Sequence, residues 1–142
     1  MIKKYAFWIK GAILFQAITA LAHSASFFFT PVGANDTERQ LIALMQTYKT
    51  DMGAGFTPST QDILTAFSAC FALLYLLGAL MNWHLLRMKT APDILNGVII
   101  INLLVFGICF AVMAYFTFLP PIILTGLVFL CLLISRITLP KS

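Results

Sequence analysis

The sequence contains little charge: only 10% of its 142 residues are Asp, Glu, Lys or Arg, against roughly a quarter in an ordinary soluble domain. Hydrophobic residues make up 61% of the chain, and its mean hydropathy is +0.95. Polar side chains are therefore too few to cover a water-soluble globule, whereas a protein in a lipid bilayer is apolar on its outside as well. The composition excludes an ordinary soluble domain and predicts an integral membrane protein.

Cysteine is also scarce, and its few copies are far apart. Cys70, Cys109 and Cys131 all lie inside apolar stretches, and no C-x-x-C spacing occurs. This pattern predicts small buried hydrophobic side chains. It argues against a thiol-oxidising membrane enzyme, because such an enzyme needs a close and accessible cysteine pair.

The motifs of several common enzyme classes are absent. The sequence contains no H-E-x-x-H, no G-x-S-x-G, no phosphate-binding glycine loop and no pair of carboxylates inside an apolar run. Metalloproteases, serine hydrolases, nucleotidases and carboxylate-driven proton carriers therefore lose support. A channel or transporter acting alone is also disfavoured, because the chain has no internal repeat and no charged pathway.

Three long runs contain no charged residue, and their lengths predict the number of membrane crossings. Runs 11–35 and 63–86 each fit one spanning helix of about 20 residues. Run 94–135 would form a helix of about 63 Å, twice the bilayer core, and Pro120-Pro121 interrupts it. The sequence thus predicts an all-α fold, a bundle of four transmembrane helices. The predicted integral membrane domain is 1–142, with spans at about 5–29, 60–86, 92–117 and 120–138.

Two short motifs predict where helices begin. In segment 90–93 (TAPD) we expect Thr90 to be a hydroxyl N-cap, followed by an early proline and a capping-box carboxylate, ahead of the third span. Thr57-Pro58 predicts a similar start for the second span.

Basic residues lie mainly at one end of the predicted spans. By the positive-inside bias the connection 30–59 faces outward, and both termini are cytoplasmic. Four crossings agree with this orientation. The basic residues behind the net charge of +4 then serve to orient the spans in the bilayer, and no nucleic-acid partner is expected. The inner basic residues are Lys3, Lys4, Lys10, Arg87, Lys89, Arg136 and Lys141, whereas the outer side has Arg39 and Lys49 against Asp36, Glu38, Asp51 and Asp62.

The first span has an alternative interpretation as a secretory signal, because two lysines, an apolar stretch and the small residues at 20–22 resemble one. Cleavage would leave three spans in the same orientation. Apolar character continues through the three phenylalanines at 27–29, beyond that site. An uncleaved first helix is therefore the preferred interpretation.

The outward loop 30–59 contains one predicted amphipathic helix. Asn35 is a suitable N-cap with Glu38 at the third helical position, and Gly53 and Gly55 predict its end. We expect the helix to lie flat as a structural lid, with a hinged gate for an apolar ligand as the alternative. Its apolar stripe consists of Leu41, Leu44, Met45, Tyr48 and Met52.

Polar side chains recur along the first span and supply the candidate ligand-binding residues. Gln16 and His23 are two turns apart, so they share a face that must point into the bundle. His23 is a candidate metal or haem ligand, proton relay or interhelical hydrogen-bonding group. Tyr115 is preferred over Tyr75 as its partner, because the third span ends on the outer side. The predicted site is Gln16, Thr19, His23, Ser26 and Tyr115.

No cofactor and no metal site are predicted. His84, the other histidine, lies at the inner end of the second span, about one bilayer core away from His23, so the two cannot share a haem. A single-histidine haem at His23 is the remaining alternative. We expect the side chains of Asn82, Asn96 and Asn102 to bridge helices.

Three short segments carry a resemblance in layout: 22–25 (AHSA) late in the first span, 53–55 (GAG) after the outward helix, and 59–62 (STQD) opening the second span. With four spans, the chain resembles small bacterial inner-membrane proteins of uncharacterised function that are similar in layout to the DoxX-like group. The resemblance implies a bacterial inner-membrane location and service as an accessory subunit, and it names no substrate.

Two hypotheses for function follow. The leading one is a noncatalytic membrane protein, an accessory subunit or a binder of an apolar ligand such as a lipid, quinone or isoprenoid. Its expected partners are membrane lipid, other membrane subunits or further copies of the chain. The alternative is a small intramembrane redox or isomerase enzyme acting on a lipidic substrate, with His23 as acid or base.

Overall fold

The computed structural model describes residues 4–25, 27–29 and 32–140, and over this part of the chain it is all-helical apart from one isolated antiparallel bridge, Lys49 to Ser59. This confirms the predicted fold class, including a short helix between the first two spans. The helices are α1 (Lys4–Ala25), α2 (Asp36–Thr47), α3 (Thr60–Arg87), α4 (Pro92–Phe116) and α5 (Leu119–Thr138).

Helices α1, α3, α4 and α5 are each long and apolar enough to cross a membrane. Only 17% to 28% of the side chains in the most apolar stretch of each helix are fully buried, so every one of these helices leaves apolar side chains at least partly exposed, as a lipid surrounding allows. The chain is a multi-pass membrane protein. The last three helices match their predicted bounds to within one residue, but α1 ends at Ala25 rather than at 29. There the Phe27 and Phe28 amides donate to the Ser24 and Ala25 carbonyls in turns outside the helix.

The chain forms two compact units, which we call the four-helix unit (Met1–Ala20 with Leu74–Ser142) and the loop unit (Leu21–Leu73). In the four-helix unit the apolar core includes Ile9 of α1 packed with Leu95 and Ile99 of α4. Leu85 and Leu86 of α3 and Leu139, the residue that follows α5, pack against this cluster, which therefore joins α1, α3, α4 and the end of α5.

The connection between α4 and α5 is as short as the two prolines predict. The Thr117 amide donates to the Met113 carbonyl at 3.0 Å, which ends α4, and α5 begins at Leu119. Pro120 and Pro121 stand in the first turn of α5, where an N–H has no helical acceptor to lose. The result is an antiparallel hairpin, in which the rings of Phe110 and Phe129 stack at 6.2 Å.

Helix α3 begins at Thr60, as predicted, but its N-cap is Ser59 and not the Thr57 of the Thr57-Pro58 motif. Ser59 and Asp62 form a reciprocal capping box: the Asp62 amide donates to Ser59 Oγ at 3.2 Å, and the Ser59 amide donates to Asp62 Oδ2 at 2.8 Å. Lys49 Nζ lies 3.3 Å from the same carboxylate oxygen. The cap is Ser59 because only it places a hydroxyl three residues before a carboxylate.

The prediction that Thr90 caps α4 is also wrong. Its hydroxyl and amide both donate to the Leu85 carbonyl, so Thr90 closes the end of α3 instead. Lys89 takes up a left-handed conformation, φ 50°, in this turn. The N-cap of α4 is Ala91, which has no side-chain acceptor, and Pro92 follows it as predicted.

Helix α2 is capped as predicted but is shorter than its apolar stripe suggests. Asn35 Oδ1 accepts from the Glu38 amide at 2.9 Å. The helix ends at Thr47, so Tyr48 is its C-cap and Met52 lies beyond it, next to a turn in which Gly53 and Gly55 have positive φ. No α2 residue is buried, and the expectation of a lid or a gate stays a prediction.

The cysteines differ in their burial. Cys131 is buried and lies close to Gly11, where an added Cβ would approach its sulfur to 3.1 Å. Cys109 is half-buried. The prediction of a buried side chain is wrong for Cys70, which is exposed on α3, because in a spanning helix a small apolar residue is equally stable facing lipid.

Candidate functional site

A chain of three amide side chains crosses the core of the four-helix unit. Asn82 Nδ2 donates to Gln16 Oε1, and Asn102 Nδ2 donates to Asn82 Oδ1, each at 3.1 Å. Gln16 belongs to α1, Asn82 to α3 and Asn102 to α4, so two hydrogen bonds join three helices. All three side chains are buried. This confirms that Asn82 and Asn102 bridge helices, and it identifies Gln16 as their partner.

Gly78 leaves room for the Gln16 end of this amide chain. A Cβ at Gly78 would lie 2.6 Å from Gln16 Nε2 and 2.5 Å from Phe106 Cζ, so the amide and the ring share the space that a side chain would fill. Gln16 Nε2 is buried without a hydrogen-bond acceptor. Phe106 packs edge-on against the buried ring of Tyr75, with 4.9 Å between centroids. The surroundings of the amide chain are therefore aromatic and tightly packed.

Thr19 and Tyr115, two other residues of the predicted site, do not take part in the amide chain. Thr19 is buried, but its hydroxyl donates to the Phe15 carbonyl of its own helix at 2.7 Å. Tyr115 is 82% exposed near the end of α4, where its ring packs edge-on against Phe116. Ser26 lies outside the described residues. Gln16 and Thr19 thus reach the core, whereas Tyr115 stays on the surface.

His23 belongs to the loop unit and is half-buried. Its ring lies 4.4 Å from the ring of Phe71, at an interplanar angle of 52°. This contact joins α1 to α3 within the unit. Among the described residues no group of three His, Cys, Asp or Glu side chains is placed to hold a metal ion. The expectations of no cofactor, and of a haem at His23 as the alternative, stay predictions.

A cleft of about 560 Å³ opens between the start of α4 and the end of α5. Its described lining combines two charged side chains and one amide with aliphatic and proline side chains. The lining residues are Pro92, Asp93, Asn96, Leu133, Arg136, Ile137, Leu139 and Pro140. Such a mixture suits an amphipathic ligand, since the polar groups orient one end of it and the apolar walls contact the rest.

The two charged groups of the cleft are not paired with each other. The ion pairs among the described residues are Arg39 with Asp36 and Lys49 with Asp62, so the Asp93 carboxylate and the Arg136 guanidinium remain available at the cleft. Both side chains are exposed, and Asn96 between the walls is half-buried. The cleft can therefore bind a cationic and an anionic group at the same time.

Neither the motifs nor the apolar runs predict this cleft, although the sequence contains a signal for it. Asp93 and Arg136 are the charged residues that flank the uncharged run 94–135. Folding that run into a hairpin brings its two ends to the same side of the membrane.

Comparison with family models, with curated proteins and with solved structures finds no match to this chain.

Proposed function

We propose that this chain is a small noncatalytic integral membrane protein that binds an amphipathic lipid of the bilayer, and that it serves as an accessory subunit in a bacterial inner membrane. The observation that supports lipid binding most directly is the α4–α5 cleft, where Asp93 and Arg136 stand beside apolar walls. The cleft lies at the ends of two membrane-length helices, which is where the polar part of a lipid resides.

A binding role agrees with the chemistry of the four-helix core. Two of its interhelical hydrogen bonds come from amides, which donate and accept hydrogen bonds but neither gain nor lose a proton near neutral pH. The amide chain holds α1, α3 and α4 together, and this gives the cleft on α4 and α5 a fixed support.

The proposed orientation places both termini and the cleft on the cytoplasmic side. Arg87 and Lys89 of the α3–α4 connection and Arg136 of α5 supply positive charge at that side, in keeping with the positive-inside bias. Lys3 and Lys141, which contribute to the same argument, lie outside the described residues.

Native mass spectrometry of the protein extracted in a mild detergent tests lipid binding. We expect one lipid to remain bound per chain. Leu133→Trp, which adds bulk inside the cleft, should abolish the bound mass, whereas the matched change Leu130→Trp on the exposed surface of α5 should leave it in place. A wild-type chain that carries no lipid, quinone or isoprenoid would contradict the proposal.

The enzyme alternative depends on His23, and a double-mutant cycle separates the two functions. If His23 packs between helices, His23→Ala and Phe71→Ala should lower thermal stability and couple by about 0.5–1.5 kcal/mol. If His23 is an acid or base, turnover of a lipidic substrate should disappear in His23→Ala at unchanged stability. We expect the first result.

A further inference from the structure

The geometry points to one class of ligand for the α4–α5 cleft: the headgroup of a phospholipid that carries both a phosphate and a primary ammonium, as phosphatidylethanolamine does. In this assignment the Arg136 guanidinium binds the phosphate, and the Asp93 carboxylate accepts hydrogen bonds from the ammonium. The inference rests on the proposed function, since it specifies which lipid the cleft takes.

The charges of the cleft complement those of such a headgroup. Asp93 and Arg136 line the same cleft, and neither takes part in an ion pair among the described residues. Two unlike charges that face one open space without joining each other match a ligand that carries both charges. A guanidinium binds phosphate oxygens with paired N–H donors, and a carboxylate accepts from an ammonium.

The two charged side chains also lie at the right depth in the membrane for a lipid headgroup. Asp93 stands in the first turn of α4 and Arg136 in the last turn of α5, and the run between them has no charged residue. The two helices cross the hydrocarbon core, so both charged side chains lie at the level of the lipid headgroups. Leu133, about one helical turn before Arg136 on α5, also lines the cleft and lies on the side of the acyl chains.

The lining of the cleft favours a primary ammonium over a quaternary one. Proteins recognise choline-type cations with aromatic rings, and the described lining of this cleft contains no aromatic residue. A carboxylate is the better partner for N–H donors, and the half-buried Asn96 amide offers a further acceptor. The cleft is therefore suited to ethanolamine rather than choline.

Purely anionic lipids fit the charges of the cleft less well. A headgroup such as phosphatidylglycerol has a phosphate for Arg136 but nothing of positive charge for Asp93. The Asp93 carboxylate would then face an anion, and like charges at short range are repulsive. Asp93 thus selects against anionic headgroups in the same site where Arg136 holds the phosphate.

A lipid competition measurement tests the assignment. The full chain is placed in nanodiscs with equal amounts of phosphatidylethanolamine, phosphatidylcholine and phosphatidylglycerol of identical acyl chains, and the lipids retained after detergent release are identified by native mass spectrometry. We expect phosphatidylethanolamine to be enriched about two- to fivefold, the range for ion pairs that are partly exposed.

Two variants assign the roles of the charged groups. Asp93→Asn should reduce phosphatidylethanolamine to the level of phosphatidylcholine, and Arg136→Gln should lower retention of all three lipids. Arg87→Gln is the matched control, because Arg87 is a basic residue near the same end that lies beside Trp83 and outside the cleft lining. Melting temperatures of the three variants are measured alongside to confirm that each one folds.

The outcomes separate this inference from the proposed function. Retention of a lipid with equal amounts of all three headgroups, or with phosphatidylglycerol in excess, would overturn the headgroup assignment and leave lipid binding intact. An enrichment of phosphatidylethanolamine that Asp93→Asn does not change would overturn it as well. Loss of all lipid from the wild-type chain would contradict the proposed function itself.

Discussion

The buried amides Gln16, Asn82 and Asn102 have unequal positions in their chain. Asn82 is central and makes two interhelical bonds, whereas Gln16 and Asn102 make one each. Gln16 also leaves its Nε2 group without an acceptor in the core. A buried unsatisfied donor costs free energy, so the three residues are expected to differ in what they contribute to stability.

Replacing each amide by leucine should therefore lower stability in the order Asn82, Asn102, Gln16. For Asn82→Leu we expect a loss of about 1–2 kcal/mol, because two neighbouring polar groups lose their partners. Gln16→Leu should be close to neutral, since it removes the unsatisfied Nε2 together with one bond. Thermal unfolding in detergent micelles measures the order, and a largest loss for Gln16→Leu would contradict the described bonding.

The sequence predicts which polar side chains bridge helices better than it predicts which residues they bond to. The amides Asn82 and Asn102 were expected to bridge helices because polar groups in lipid are costly, and they do. Helical spacing groups Gln16 with His23. Its actual partners come from α3 and α4, and spacing within one helix carries no information about which residue of another helix lies opposite.

Close approach between helices depends on Gly78 of α3. An added Cβ there would lie 2.5 Å from Phe106 Cζ of α4 and 2.6 Å from Gln16 Nε2 of α1, both closer than real contacts allow. Gly78→Ala should therefore destabilise the bundle by about 1–3 kcal/mol through overpacking. Gly97→Ala on α4 is the control, because a Cβ there meets nothing within 4 Å.

The two variants are compared by thermal unfolding in the same detergent. Gly97→Ala should be neutral or slightly stabilising, since alanine favours helix over glycine. Equal melting temperatures for Gly78→Ala and wild type would show that α3 does not approach α1 and α4 as closely as described.

The start of α3 offers a second test among the elements. Ser59→Ala removes the hydroxyl of the capping box and should cost about 0.5–2 kcal/mol, whereas Thr57→Ala, two residues earlier, should have no effect. Hydrogen exchange at the Asp62 and Ile63 amides reports the loss locally. Faster exchange in Thr57→Ala than in Ser59→Ala would show that Thr57, and not Ser59, caps α3.

The elements were predictable wherever a strong local constraint operates. Pro120-Pro121 divides run 94–135 because a proline tolerates only the first turn of a helix, and α5 begins as expected. The caps were less predictable, since several hydroxyl residues precede each helix and the choice depends on nearby turns. Thr90, for example, bonds to the end of α3 instead of opening α4.

For the whole molecule, sequence predicts four crossings but not the α4–α5 cleft. Crossing number follows from the lengths of uncharged runs, which is a property of the chain alone. The cleft requires that Asp93 and Arg136, far apart in sequence, meet at one end of a hairpin and remain unpaired. Pairing across a hairpin depends on helix rotation, which hydropathy does not determine.

Site-directed thiol labelling tests the proposed topology, in which the α1–α3 and α3–α4 connections lie on opposite sides of one membrane. Single cysteines replace the exposed residues Met52 and Met88 in a chain whose native cysteines are changed to alanine. With a membrane-impermeant maleimide on spheroplasts, we predict that Met52→Cys reacts at once and that Met88→Cys reacts only after permeabilisation. Reaction of both cysteines on the same side, or of Met88→Cys alone in intact spheroplasts, would contradict this topology.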